Sequence, residues 1–160
     1  MKKIITVAFT LLSILSFQAC IKSNVFEKNT TLKYNKWQKD NKLNFEFDIT
    51  DTTSDYLMFL TIRHSDAYPF SNIWLNVKTT LPMEQKTIET RTEVPLAEAD
   101  GKWMGRNFKD IIEQQMPLTG SGVAHFNRTG KYKIQLEQIM RENPLPEVMS
   151  VGVRLEKITK

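Results

Sequence analysis

Leu43, Phe45, Phe47 and Ile49 alternate strictly with Asn44, Glu46 and Asp48, and this short run constrains the fold most. Successive side chains point to opposite sides only in an extended backbone, so a period of two specifies a strand with one face buried and one in water. Such a strand must pack its apolar face against another layer.

The rest of the chain supplies the partners. Residues 56–63 are apolar almost throughout, which predicts a strand covered on both faces. Residues 71–80 place Ile73, Leu75 and Val77 on one side and Trp74 and Asn76 on the other. Residues 87–94 are rich in β-branched side chains and close at Pro95. Tyr132, Ile134 and Leu136 share a face, as do Met149, Val151, Val153 and Leu155 in the last long strand. Residues 107–116 fit a helical face through Phe108, Ile111, Ile112 and Met116, and equally a strand through Ile112, Gln114 and Met116; the surrounding strands favour a turn followed by a strand. Leu32, Tyr34 and Lys36 alternate weakly, and residues 138–143 allow one helical turn. Short strands punctuated by proline and glycine, with no long helix, predict an all-β, antiparallel β-sandwich of about eight strands, Ig-like or jelly-roll-like. Its expected core is Phe45, Phe47, Leu60, Ile62, Leu75, Val77, Ile134, Leu136, Val151 and Val153.

The N-terminus carries an address. Met1-Lys2-Lys3 is basic, residues 4–17 are apolar, and Ala19 precedes Cys20, the only cysteine in the chain. The apolar run is short for a membrane span and has the layout of a secretory signal peptide. A cysteine directly after it resembles a bacterial lipobox, although Phe17 and Gln18 stand where leucine and a small residue are usual. The expected organisation is a signal peptide over 1–19, a lipidated, triacylated Cys20 opening a polar tether over 20–31, and a β-sandwich domain over 32–160. A lone thiol has no disulfide partner, and acylation would cap it. Lys22-Ser23-Asn24 lacks an acidic run, which suggests an outer-membrane lipoprotein facing the periplasm.

Cleavage leaves about 140 residues, one domain's worth. Lys2 and Lys3 leave with the signal, so 20 basic residues face 18 acidic ones. That balance argues against nucleic acid as a partner.

Catalytic chemistry finds little support. His64-Ser65-Asp66 are adjacent, and adjacent residues of an extended segment diverge, whereas a triad must converge. Two distant histidines, His64 and His125, do not make a zinc site. Asp51 and Asp55 match no calcium-loop spacing, and the glycines form no phosphate-binding pattern. No metal, cofactor or catalytic residue is expected. Aromatics are more telling. Trp74 should oppose core-directed Ile73 and Leu75, and Trp103 lies in a turn between Gly101 and Gly105. With Tyr68 and Phe70 they form an expected interaction surface, the alternative being that the two tryptophans fill the two ends of the core, which is at least as strong for Trp103. Asp51-Thr52-Thr53 resembles an O-glycosylation sequon of exported Bacteroidetes proteins, which makes Thr52 a possible acceptor. Asn29-Thr30-Thr31 and Asn127-Arg128-Thr129 match the N-glycan pattern by chance.

Several segments together carry a family resemblance: residues 68–75 (Tyr-Pro-Phe-Ser-Asn-Ile-Trp-Leu), 100–105 (Asp-Gly-Lys-Trp-Met-Gly), Gly130-Lys131-Tyr132, 136–141, 144–148 and 151–155. In this order, behind a lipoprotein start, they resemble the GldH family of gliding-motility lipoproteins from the Bacteroidetes. The resemblance implies a non-enzymatic, lipid-anchored accessory and interaction module of the cell envelope. Its implied partners are the membrane and other envelope proteins of gliding and type IX secretion. A lipid-anchored carbohydrate-binding module is the alternative suggested by the sandwich and its aromatics.

Overall fold

In the computed structural model, which describes residues 23–84, 87–120 and 122–158, the alternating run is strand β3 (Leu43–Ile49), its apolar residues buried and the others exposed. The expected signal segment and Cys20 lie outside the described residues. The other strands, in chain order, are β1 (Ser23–Thr31), β2 (Lys36–Trp37), β4 (Tyr56–Ser65), β5 (Asn72–Thr80), β6 (Thr87–Pro95), β7 (Arg106–Phe108), β8 (Ile111–Pro117), β9 (Val123–Ala124), β10 (Gly130–Gln138), β11 (Leu145–Pro146) and β12 (Val148–Lys157).

They form two antiparallel sheets packed face to face. One runs β1-β12-β4-β8-β7, with β9 also pairing β4; the other runs β3-β10-β5-β6. A small β11–β2 ladder lies beside them. All ten residues of the expected core are buried between the sheets. At the end where β1 begins, the core is aromatic. Phe47 stacks on Tyr132 at 5.9 Å, Phe126 meets Tyr132 edge-on at 4.8 Å, and Phe26 packs on Phe47 at 5.5 Å. The buried Tyr56 and Tyr132 hydroxyls donate to loop carbonyls of Asp51 and Arg128, so neither phenol is left unpaired. At the opposite end Trp37 is fully buried, and its Nε1 donates to the Asn41 carbonyl at 2.9 Å.

Several expectations are corrected. Residues 23–31 are strand β1, not a tether. They pair with β12 through the backbone, and only Phe26 packs on the core, so the segment reads as polar chain. Residues 33–35 form a 3₁₀ turn, with Tyr34 at φ 58 and exposed, which leaves a strand of only two residues at Lys36–Trp37. Residues 139–143 hold no helical turn. The Gln138 side chain organises them instead: Nε2 donates to the Trp37 and Glu142 carbonyls, and Oε1 accepts from Met140 N. In β12 a bulge between Val148 and Ser150 shifts the register, so Val148 is buried and Met149 only half-buried. Strand β4 is fully buried on one face only; Leu57, Phe59 and Thr61 on its other face are half-buried. Residues 106–117 form the expected turn and strand, with the short β7 added ahead of the turn.

The strand register sorts the loops to two ends of the sandwich. Ser23, Lys157, Tyr56, Ile49 and Gly130 lie at one end, with the loops 50–55, 81–84 and 125–129. Thr31, Ser65, Leu43 and Gln138 lie at the other, the far end, with the loops 66–71 and 139–144.

Candidate functional site

Strand β5 presents Trp74 outward at the far end. Its neighbours Ile73 and Leu75 are completely buried, while Trp74 is 40% exposed, as the alternation requires. Beyond β10 the chain folds over the same place. Ile139 N donates to the Trp74 carbonyl at 3.0 Å, and Trp74 N approaches the Met140 sulfur at 3.2 Å. Phe70, Trp74, Ile139, Met140 and Arg141 line a shallow pocket of about 300 Å³. Its floor is apolar, and the exposed Arg141 stands on its rim. The structure therefore joins Trp74 and Phe70, and adds Ile139 and Arg141, which the alternation of β10 could not reveal because the strand has ended.

Tyr68 and Trp103 do not belong to this surface. Tyr68 is buried beneath Phe70, edge-on at 5.8 Å, and its hydroxyl donates to the Asn72 carbonyl at 3.0 Å. Burial pushes its phenol above the usual range. Trp103 is half-buried and faces inward. Its ring meets buried His64 edge-on at 4.6 Å, and its Nε1 donates to Asp66 Oδ1 at 2.6 Å. A bridge between Ala97 and Trp103 folds the 97–103 loop back on itself. The ring thus fastens this loop to the end of β4.

Nor do His64, Ser65 and Asp66 converge. His64 Nδ1 donates to the Ser65 carbonyl at 2.9 Å, and its buried Nε2 has no hydrogen-bond partner. Ser65 Oγ donates to Glu147, and Asp66 accepts from Trp103. Burial lowers the His64 pKa, so the ring is neutral at pH 7. The other acidic candidates are also engaged. Lys157, then Thr53 and Ser54, hydrogen-bond the Asp51 carboxylate and hold its pKa far below the ordinary range, and Asp55 pairs with His125 at 2.9 Å. Thr52 is exposed in the turn between β3 and β4.

A second surface was not legible in the sequence. The outer face of the six-stranded sheet carries a groove of about 520 Å³. Phe59 and Thr61 of β4 lie in it, flanked by Glu27 and Asn29 of β1, Arg154 and Glu156 of β12, Glu113 and Gln115 of β8, and Arg106 of β7. The charges are mostly matched. Arg154 pairs with Glu27 at 3.3 Å and Glu156 at 2.6 Å, and Arg63 pairs with Glu113. Gly105 lets the chain enter edge strand β7 close against β8: its φ is +96°, and a Cβ there would sit 2.5 Å from the Glu113 carbonyl oxygen. Finding the groove requires the strand register, because its residues come from five strands.

The crystal structure of dimeric latent PorU from Porphyromonas gingivalis is similar at a TM-score of only 0.39 and 7% identity, over 90% of this chain and 14% of that one. Sequence relatives cover nearly the whole length. The chain is 30% identical to a gliding motility lipoprotein GldH homolog of Christiangramia forsetii, over 98% of both chains. It is 29% identical to the gliding motility lipoprotein GldH of Flavobacterium johnsoniae, over 92% of this chain and 93% of that one. With residues 24–155 matched by the model of the GldH lipoprotein family, the chain belongs to that family.

Proposed function

We propose that this chain is a gliding-motility-associated lipoprotein that acts without catalysis, as a lipid-anchored interaction module of the cell envelope. On this reading residues 1–19 are a signal peptide, Cys20 carries the lipid, and the sandwich that follows faces the periplasm from the outer membrane. The face of Phe70, Trp74 and Ile139 docks other envelope proteins of the gliding and type IX secretion apparatus. One observation carries the docking face: a tryptophan between two fully buried neighbours stands 40% exposed in an apolar hollow. Exposed aromatics in a shallow pocket with an arginine at the rim have the composition of interface centres. The engagement of His64, Ser65 and Asp66 with separate partners supports a non-enzymatic role.

Trp74→Ala tests this. The variant should lose partners recovered from native membranes while its melting temperature stays near wild type. An early-melting variant that still recovers the same partners would remove Trp74 from the docking face.

A second reading, carbohydrate binding, is favoured by the groove, where the Phe59 ring is flanked by carboxylates, guanidinium groups and amides. Phe59→Ala should then abolish binding to envelope polysaccharide; unchanged binding, or no binding by the wild type, excludes it.

A further inference from the structure

We propose that the end of the sandwich where β1 begins rests on the lipid headgroups, with Met83 projecting into them. This rests on Cys20 being the lipidated residue. Cys20 is three residues before Ser23, and three residues span at most about 11 Å. Ser23 is fixed in the sheet opposite Lys157. An acylated cysteine lies at headgroup depth, so this end of the domain cannot stand far from the bilayer.

What shares that end fits a lipid surface. Lys157 pairs with Asp51 at 2.6 Å, and Thr52, Met83 and Arg128 surround one hollow of about 570 Å³. Pro82 abuts Gly130, so the 81–84 loop reaches as far as the β1 end. Met83 is fully exposed and holds φ at 61°, a left-handed conformation unusual for a side chain of this kind. A long, flexible apolar side chain at the tip of a tight turn suits shallow insertion among headgroups. Two acids of this end are matched by cations in the pairs Asp51–Lys157 and Glu84–Arg128, which lessens their repulsion toward an anionic surface. Strand β4 has 10 residues, about 33 Å at the usual rise, and so the Trp74 pocket is presented roughly that far from the bilayer. Thr52 is exposed at the membrane end, so an O-glycan there and close bilayer contact exclude each other.

The test uses the mature acylated protein, beginning at Cys20, reconstituted in phosphatidylethanolamine–phosphatidylglycerol vesicles. Acylation consumes the Cys20 thiol, so Met83→Cys and, at the far end, Asp40→Cys each introduce a single labelling site. A fluorophore at 83 should be quenched several-fold more than one at 40 by lipids carrying a headgroup nitroxide. Equal quenching overturns the orientation. A label at 83 that is shielded from aqueous iodide but untouched by the nitroxide lipids means that a protein or a second copy covers this end, and also overturns it. Protein that never partitions into the vesicles refutes the Cys20 anchor itself, a failure distinct from a wrong orientation.

Discussion

His64 is the residue whose environment is least comfortable. Its ring is wholly buried among Tyr68 and Trp103, and Nε2 has no partner. Burial disfavours the charged form; the Ser65 carbonyl and the charge of Asp66 oppose this only in part. The folded pKa therefore lies below the ordinary value of about 6.5 that the unfolded chain retains. Above that pH the ring is neutral in both states and contributes no slope. As pH falls through about 6.5 the unfolded chain takes up a proton that the folded one resists, and stability declines. Melting temperature should accordingly drop between about pH 7.5 and about pH 5.5. His64→Leu should flatten that slope because the titrating ring is gone, while the Ser65 carbonyl keeps the Tyr68 N–H as a donor at 3.2 Å. An identical slope in the variant would assign the effect to other groups.

At the scale of the element, β1 is the instructive case. It is an edge strand held by its ladder to β12, by the partly buried Phe26, and by a close crossing at Gly152. A Cβ at Gly152 would lie 2.6 Å from the Lys28 carbonyl oxygen and from Thr61 Oγ1, and would collide with Asn29 Oδ1. Gly152→Ala should push β1 outward and cost about 1–3 kcal/mol. A chain beginning at Leu32 should lose about 1–2 kcal/mol from Phe26 alone and expose the β12 edge to aggregation. Chemical denaturation and light scattering read both, and unchanged stability in both variants would mean that β1 is dispensable. The same strand shows why parts of the fold were hidden in the sequence. β3, β5 and β10 were legible because one face meets the core and the other meets water, which writes a period of two. β1 buries little, so its pairing leaves almost no pattern. β2, β9 and β11 are each two residues long and have no period to read. Tyr68 was misplaced, and the two readings of Trp103 stayed undecided, because nothing in the sequence shows that their partner His64 is buried; the groove needed the register of five strands. Trp74 was legible because its two neighbours are unambiguous core residues.

On the proposed reading, anchoring and folding belong to different parts of the chain. Among the described residues, Phe26, Phe47, Tyr132, Phe126 and Tyr56 pack on one another at the end where β1 begins. On the proposed reading membrane attachment comes from the lipid on Cys20, and a single acyl chain gives only marginal binding, at about 0.8 kcal/mol per buried CH₂. Several chains on Cys20 would suffice. Cys20→Ser should therefore move the protein to the soluble fraction, or trap it with its signal peptide attached, while a released domain keeps its melting temperature. The two measurements answer different questions. A variant that is processed and still sediments with the outer membrane would show that the sandwich itself binds the envelope, through the Trp74 pocket or the groove. A released domain that melts early would show that the lipid end supports the fold. Release at unchanged stability fits the arrangement in which Cys20 fixes the domain to the bilayer by one end and leaves the Trp74 pocket about 30 Å away, free to meet a partner.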